Sequence, residues 1–221
     1  MNIKRDVMFK SLVIVGLFFC LGTNIHSQGF NLPSKGIQVF DFKDSKERNQ
    51  ATFLSEARYE NINGLTNDVW GKVSFDTKDI KSTLTGEITI SASSIKTGIE
   101  KRDEHLQSVS WLNSEKYPNI TFKVKEVKRV DLVEDNLLKI VALGEFYLHG
   151  KTNLVYANAT MKYTPENDVT KTIMQGDLIS IIANFEIKLS DFGITNSLID
   201  NRVSDKIEIT ANLLGSDSNQ K

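Results

Sequence analysis

Apolar and polar residues alternate with a period of two along most of this chain. In residues 83–92, Leu84, Ile88 and Ile90 fall on one face, and threonine, serine and glutamate side chains fall on the other. Residues 120–124 and 207–213 repeat the pattern. A period of two in β-branched and aromatic residues is typical of strands with one buried face. The sequence therefore predicts an all-β protein of roughly eight to ten strands.

Residues 100–116 interrupt this alternation. They include the segment KRDEHLQS, which concentrates charged residues and a histidine in a few positions. We expect one or two short helical turns here, between two strands. Closing the remaining strands into a barrel leaves no exposed sheet edge. The predicted architecture is a single antiparallel, lipocalin-like β-barrel with a short helical excursion at residues 100–116.

The N-terminal residues have the pattern of a secretory signal peptide. Three basic residues within residues 1–10 precede an apolar run at residues 11–22, and TNIHSQ follows. The run is too short to cross a bilayer comfortably as a helix. We predict a signal peptide at residues 1–27, export to the periplasm or the extracellular space, and no transmembrane span in the mature form. Cys20, the only cysteine, lies in this segment, so the mature fold has no disulfide.

Charge and composition limit the remaining classes. The 27 basic and 28 acidic residues give a net charge of −1 and are mixed along the chain, without the basic patch that nucleic-acid binding requires. The predicted organisation after the signal peptide is a linker at residues 28–35, one barrel at residues 36–215 and a polar, disordered tail at residues 216–221.

The charged segment at residues 101–108 has a catalytic interpretation. His105 would act as a general base oriented by Asp103 or Glu104. None of the serines that would supply a nucleophile lies in a recognisable nucleophile motif. These serines are Ser94, Ser108 and Ser110.

The structural interpretation of the same segment is favoured. Arg102 and Asp103 would pair with each other or with the backbone, and Asp103 would cap a helix. His105 would donate a hydrogen bond to a nearby acceptor, and Leu106 would plug one end of the barrel. His149, the other histidine after residue 27, would fix the turn at Gly150. We predict no metal site, because two histidines without cysteines do not form a ligand set with the usual spacing.

A barrel of this size either fills its interior with side chains or encloses one ligand. Gly71, Gly86 and Gly144 lie inside strand patterns, where a missing side chain marks a bend or a close approach and would leave room in the lumen. The candidate lumen residues, which share the apolar faces, are Val73, Phe75, Leu84, Ile88, Ile90, Phe122, Val124, Ile140, Ala142, Phe146, Phe185, Ile209 and Ala211. Phe122 and Phe146 are expected to pair across neighbouring strands.

Several segments resemble the YceI-like family of secreted or periplasmic bacterial proteins. The longest is SASSIKTGIEKRDEHLQSVSWLNSEKYPNITFKV at residues 91–124, and shorter matches are GKVSFD, FYLHGKTN and SDFG, the last at residues 190–193. The resemblance implies a lipocalin-like barrel that binds polyisoprenoid-type lipids, needs no cofactor and is compatible with a homodimer. The sequence thus predicts an exported protein that carries an isoprenoid-type or other amphiphilic lipid in its barrel. The alternative is an enzyme acting at the barrel mouth through Asp103 and His105.

Overall fold

The computed structural model describes residues 28–218, which contain ten antiparallel strands and three short helices. The strands are β1 (Ile37–Asp41), β2 (Gln50–Glu56), β3 (Asn61–Thr66), β4 (Val69–Asp76), β5 (Thr85–Ser91), β6 (Asn119–Glu134), β7 (Leu137–Leu148), β8 (Lys151–Thr164), β9 (Leu178–Lys188) and β10 (Lys206–Ser216). The helices are α1 (Ile80–Thr83), α2 (Glu100–Gln107) and α3 (Asp168–Ile173), and two 3₁₀ turns lie at Ala92–Ser94 and Ser190–Phe192.

Eight of the strands close into a barrel. The pairing runs β1, β4, β5, β6, β7, β8, β9 and β10, and β10 returns to β1 where Asp41 pairs with Ser216. The rest of β10 pairs with β2, which forms a hairpin with β3. β3 in turn meets the segment after β5 through a bridge between Leu65 and Lys96. The predicted closed antiparallel barrel is confirmed, and α2 lies inside the predicted helical excursion.

The two other helices were not predicted because each is a single capped turn without helical periodicity. The side chain of Asp79 accepts a hydrogen bond from the Ser82 amide at 3.1 Å at the start of α1. Asn167 and Thr170 form a reciprocal capping box at the start of α3. Such local side-chain bonds satisfy the amides that a helix end leaves unpaired.

The interior of the barrel divides into two halves of different character. One half, which we call the packed half, is filled by large side chains: Phe40, Phe75 and Tyr163 are at most 2% exposed, and the rings of Phe40 and Phe75 stack at 5.0 Å. Phe30, from the segment before β1, adds its ring at 5.8 Å from that of Tyr163. The other half, the open half, contains a second cluster of buried apolar residues around Phe146.

A buried polar network ties together strands at the packed end. The Tyr163 hydroxyl donates to Asp177 at 2.5 Å, Gln38 donates to the same carboxylate at 3.1 Å, and the Lys35 ammonium also bonds to it. Burial raises the pKa of Asp177, but these hydrogen bonds and one from the Glu166 amide outweigh burial and lower the pKa to about 2. Burial, reinforced by the bond to Asp177, raises the pKa of Tyr163 to about 12.

Buried residues that belong to the fold lie beyond the predicted barrel limits at both ends. In the predicted linker, Phe30 is 2% exposed and its amide donates to the Thr77 carbonyl at 2.7 Å. In the predicted tail, Ser216 is part of β10 and 3% exposed, because β10 has to reach β1 to close the barrel. The predicted signal peptide, Cys20 and residues 219–221 lie outside the described residues. Between residues 28 and 218, no helix is long and apolar enough to cross a membrane.

Candidate functional site

The open half of the barrel encloses an apolar cavity of about 350 Å³. This volume lies in the range of roughly 300 to 1,000 Å³ that is usual for small-molecule sites. The wall is built from inward-facing side chains of β2, β5, β6, β7, β9 and β10, and the helical excursion covers its mouth with Leu106, Trp111 and Leu112. The few polar side chains that line the cavity are Thr52, Ser55, Glu60, Thr66, Thr97, Arg102, His105, Thr121 and Arg202. A cavity with this wall favours an apolar guest.

The structure divides the predicted lumen residues between the two halves. Those that line the cavity are Ile88, Ile90, Phe122, Phe146, Phe185, Ile209 and Ala211. Those that do not line it, and instead belong to or pack against the packed half, are Val73, Phe75, Leu84, Val124, Ile140 and Ala142. Phe122 pairs with Phe146, as predicted. Alternation identifies the inward face of a strand but carries no information on depth, so the sequence could not separate the two groups.

At the three glycines the structure shows the predicted close approach and no room left in the lumen. A methyl group added at Gly144 would lie 2.3 Å from the ring of Phe122, so that ring already occupies the space. At Gly71 and Gly86, the backbone of the neighbouring strand is closer than 3.0 Å to the same position. These glycines permit close packing of strands and of an aromatic ring.

Alanines, which the sequence did not single out as a set, make room at the inner end of the cavity. Ala51 on β2 pairs with Ala211 on β10, and Ala211 pairs with Ala183 on β9. All three line the cavity. The sequence signal was present in the alternation of β9 and β10, but the alignment of the three residues depends on strand register, which a single strand does not reveal.

Asp103 is a structural anchor of the excursion. It is 8% exposed, and its carboxylate accepts hydrogen bonds from the Thr97 amide at 2.6 Å and the Thr97 hydroxyl at 2.7 Å. Burial raises the pKa of this carboxyl, but the two bonds from Thr97 outweigh burial and hold the pKa below its usual value. The predicted helix-cap role is wrong, because Ile99 occupies the N-cap position of α2 and Asp103 lies within the helix.

Arg102 and His105 have different surroundings from those predicted. Arg102 forms an ion pair with Glu60 at 3.7 Å, which joins α2 to the start of β3. His105 lines the cavity mouth, and its ring makes no hydrogen bond within residues 28–218. Glu104 bonds instead to Lys101 at 2.7 Å. Neither carboxylate next to His105 in sequence orients its ring by a hydrogen bond.

The candidate serines are engaged elsewhere. The Ser94 hydroxyl donates to the Ser91 carbonyl at 2.7 Å, and the Ser108 hydroxyl donates to the main-chain carbonyl of His105 at 2.6 Å. A serine nucleophile has to contact the base that activates it, and neither hydroxyl contacts the His105 ring. The geometry around α2 therefore does not form a base–nucleophile pair.

His149 lies in the hairpin turn between β7 and β8. It has a positive φ of 51°, and Gly150 follows with 80°, as a two-residue hairpin turn requires. The Nδ1 atom of His149 is 3.3 Å from the Phe192 carbonyl, and its ring packs edge-on against Tyr117 at 5.0 Å. Within the described part of the chain, no group of three or more His, Cys, Asp or Glu side chains could hold a metal ion.

The family model that describes a YceI-like domain matches residues 42–214. The chain belongs to the YceI-like family. Among relatives, a UPF0312 protein of Serratia proteamaculans is 31% identical over 72% of this chain and 78% of its own length. A UPF0312 protein of Yersinia pestis is 32% identical over the same shares.

Solved structures share the fold. Burkholderia cenocepacia BcnA is 16% identical, with a TM-score of 0.59 over 76% of this chain and 96% of that one. The Campylobacter jejuni YceI protein is 22% identical, with a TM-score of 0.56 over 72% and 86% of the two chains. A polyisoprenoid-binding domain of Saccharophagus degradans, described as implicated in plant cell wall breakdown, is 11% identical, with a TM-score of 0.58 over 82% and 99%.

Proposed function

We propose that this protein is an exported carrier that holds the tail of an isoprenoid-type or similar amphiphilic lipid in the cavity of its open half. The observation that carries the proposal is the enclosed apolar cavity of about 350 Å³ inside a YceI-like barrel. The polyisoprenoid-binding domain of S. degradans, which shares the fold, supports an isoprenoid-type guest. Export rests on the signal-peptide pattern of residues 1–27.

The mouth of the cavity suits the polar end of such a lipid. Arg102, Arg202, His105 and Glu60 line it, whereas the inner wall is apolar. A tail would bury its methylene groups against the inner wall, and a headgroup would stay hydrated near these side chains. Binding of this kind needs no cofactor and no reacting residue. The lack of a base–nucleophile pair around α2 favours binding over catalysis at the mouth.

Mass spectrometry of lipid extracted from natively purified protein tests the proposal. The expected result is one tailed amphiphile per protein molecule, displaced by an added prenol such as farnesol. The variant in which Asp replaces Phe122, Phe146 and Phe185 together should lose lipid binding measured by fluorescence. The variant Lys125→Asp, on the exposed face of β6, should keep it. Protein that neither copurifies with such a lipid nor binds an added one would contradict the carrier function.

A further inference from the structure

The cavity ends abruptly at the boundary with the packed half. Leu213 and Val69 line the cavity and are also members of the packed cluster. Beyond them the interior is filled, since Phe40, Phe75 and Leu138 are completely buried with 0% exposure. A guest that enters from the mouth therefore meets a floor at this boundary.

The last free space above this floor is made by alanine side chains in one register row. Four alanines on neighbouring strands are paired in one line across the sheet; we call them the alanine row. They are Ala51 on β2, Ala211 on β10, Ala183 on β9 and Ala159 on β8. The first three line the cavity, and Ala159 is buried in the packed cluster.

Large side chains form the register rows on both sides of the alanine row. Towards the mouth, Phe53 pairs with Ile209 and Ile209 pairs with Phe185. Towards the packed half, Leu213 pairs with Ile181. Facing positions that alternate between small and large side chains shape the space inside a barrel. The alanine row therefore widens the cavity at its inner end.

The floor sets a limit on the tail. A tail that reaches Leu213 goes no deeper, because the interior beyond this residue is filled by the packed half. A longer tail would have to leave its remaining carbons outside the mouth.

We propose that the alanine row and Leu213 act as a ruler that ends the buried part of the lipid tail at the boundary with the packed half. This inference rests on the proposed carrier function and specifies its ligand: an amphiphile whose tail is buried only up to the length that reaches this floor. Within that length each added methylene gains hydrophobic burial. Beyond it, additional methylenes stay in water and gain nothing.

The experiment measures displacement of the fluorescent fatty acid cis-parinarate by straight-chain fatty acids of about eight to eighteen carbons. For the natural sequence, affinity should rise about fourfold per added methylene and level off at the length at which the tail reaches the floor. Ala211→Leu adds three carbons to the wall at the alanine row, so the plateau should begin about three carbons earlier. Leu213→Ala removes three carbons from the floor, so the plateau should begin about three carbons later.

Asn212→Leu is the matched control, because Asn212 is the neighbour of both positions in β10 and is exposed on the outer face. This variant should show the same dependence of affinity on chain length as the natural sequence. An unchanged plateau in both Ala211→Leu and Leu213→Ala, or an affinity that keeps rising to eighteen carbons in the natural sequence, would overturn the ruler. If Ala211→Leu does not fold, the position of the plateau in Leu213→Ala alone tests the ruler. Failure of every fatty acid and prenol to displace the probe would instead refute the carrier function itself.

Discussion

Asp103 and His105 are two positions apart on α2, yet their environments are opposite. The Asp103 carboxylate is buried and bonded to Thr97, whereas the His105 ring lines the cavity mouth without a hydrogen bond in residues 28–218. The structural role of the segment stays a prediction, which the bonds of Asp103 to Thr97 support. The sequence could not assign the roles residue by residue, because which side of α2 faces the barrel depends on tertiary packing.

Replacement of Asp103 should therefore cost more stability than replacement of His105. We expect Asp103→Ala to lower the free energy of unfolding by about 2 to 3 kcal/mol, since the half-buried amide and hydroxyl of Thr97 lose a charged acceptor. His105→Ala should change it by less than about 0.5 kcal/mol. Urea denaturation of the two variants measures both values. Equal losses in the two variants would contradict the role assigned to Asp103.

At the scale of elements, the packed end depends on a carboxylate that joins several strands. Asp177 precedes β9 and accepts hydrogen bonds from Gln38 on β1 and Tyr163 on β8. The alternation of each strand was readable from the sequence, because successive side chains of a strand point to opposite faces. The network was not readable, because Gln38 lies more than 100 residues from Tyr163 and Asp177 and meets them only when the barrel closes.

The low pKa of Asp177 predicts a loss of stability in acid. The pKa is about 2 in the folded protein and 3.8 for an aspartate free of these contacts, so the folded state favours the ionised form. This contribution, about 2 kcal/mol, is complete above pH 3.8 and is lost as the pH falls towards 2. Thermal melts between these pH values should show it.

Asp177→Asn provides the comparison for this acid dependence. The variant should be less stable at neutral pH and should lose less stability between pH 3.8 and pH 2 than the natural sequence. An acid dependence equal to that of the natural sequence would place the titrating group elsewhere. Asp44, whose pKa is also held at about 2, by its hydrogen bond to Arg48, is the residue to replace next.

At the scale of the whole molecule, large side chains fill the packed half, and the open half contains the cavity in which we propose that the ligand binds. A ligand that binds only the folded state stabilises it by about 2.7 kcal/mol at one hundred times its dissociation constant. For a chain of this size we expect the melting temperature to rise by roughly 5 to 10 °C.

Tryptophan substitutions in the two halves should separate these effects. Ala142→Trp, in the packed half, should cost about 1 to 3 kcal/mol and keep the ligand-induced rise in melting temperature. Ile88→Trp, in the cavity wall, should reduce or abolish that rise. The opposite pattern in calorimetric melts would mean that the ligand binds outside the open half.

The division between the halves also bears on how the barrel moves. β7 crosses both, with Leu138 and Ile140 in the packed cluster and Phe146 and Leu148 on the cavity wall, and it pairs with β6 and β8 along its length. Its strand pairing thus continues through both halves, while the side-chain contacts behind it differ. Segments with fewer buried contacts open locally at lower free energy. We therefore expect the strands to open locally around the mouth, where a tail must enter, and the packed half to stay closed.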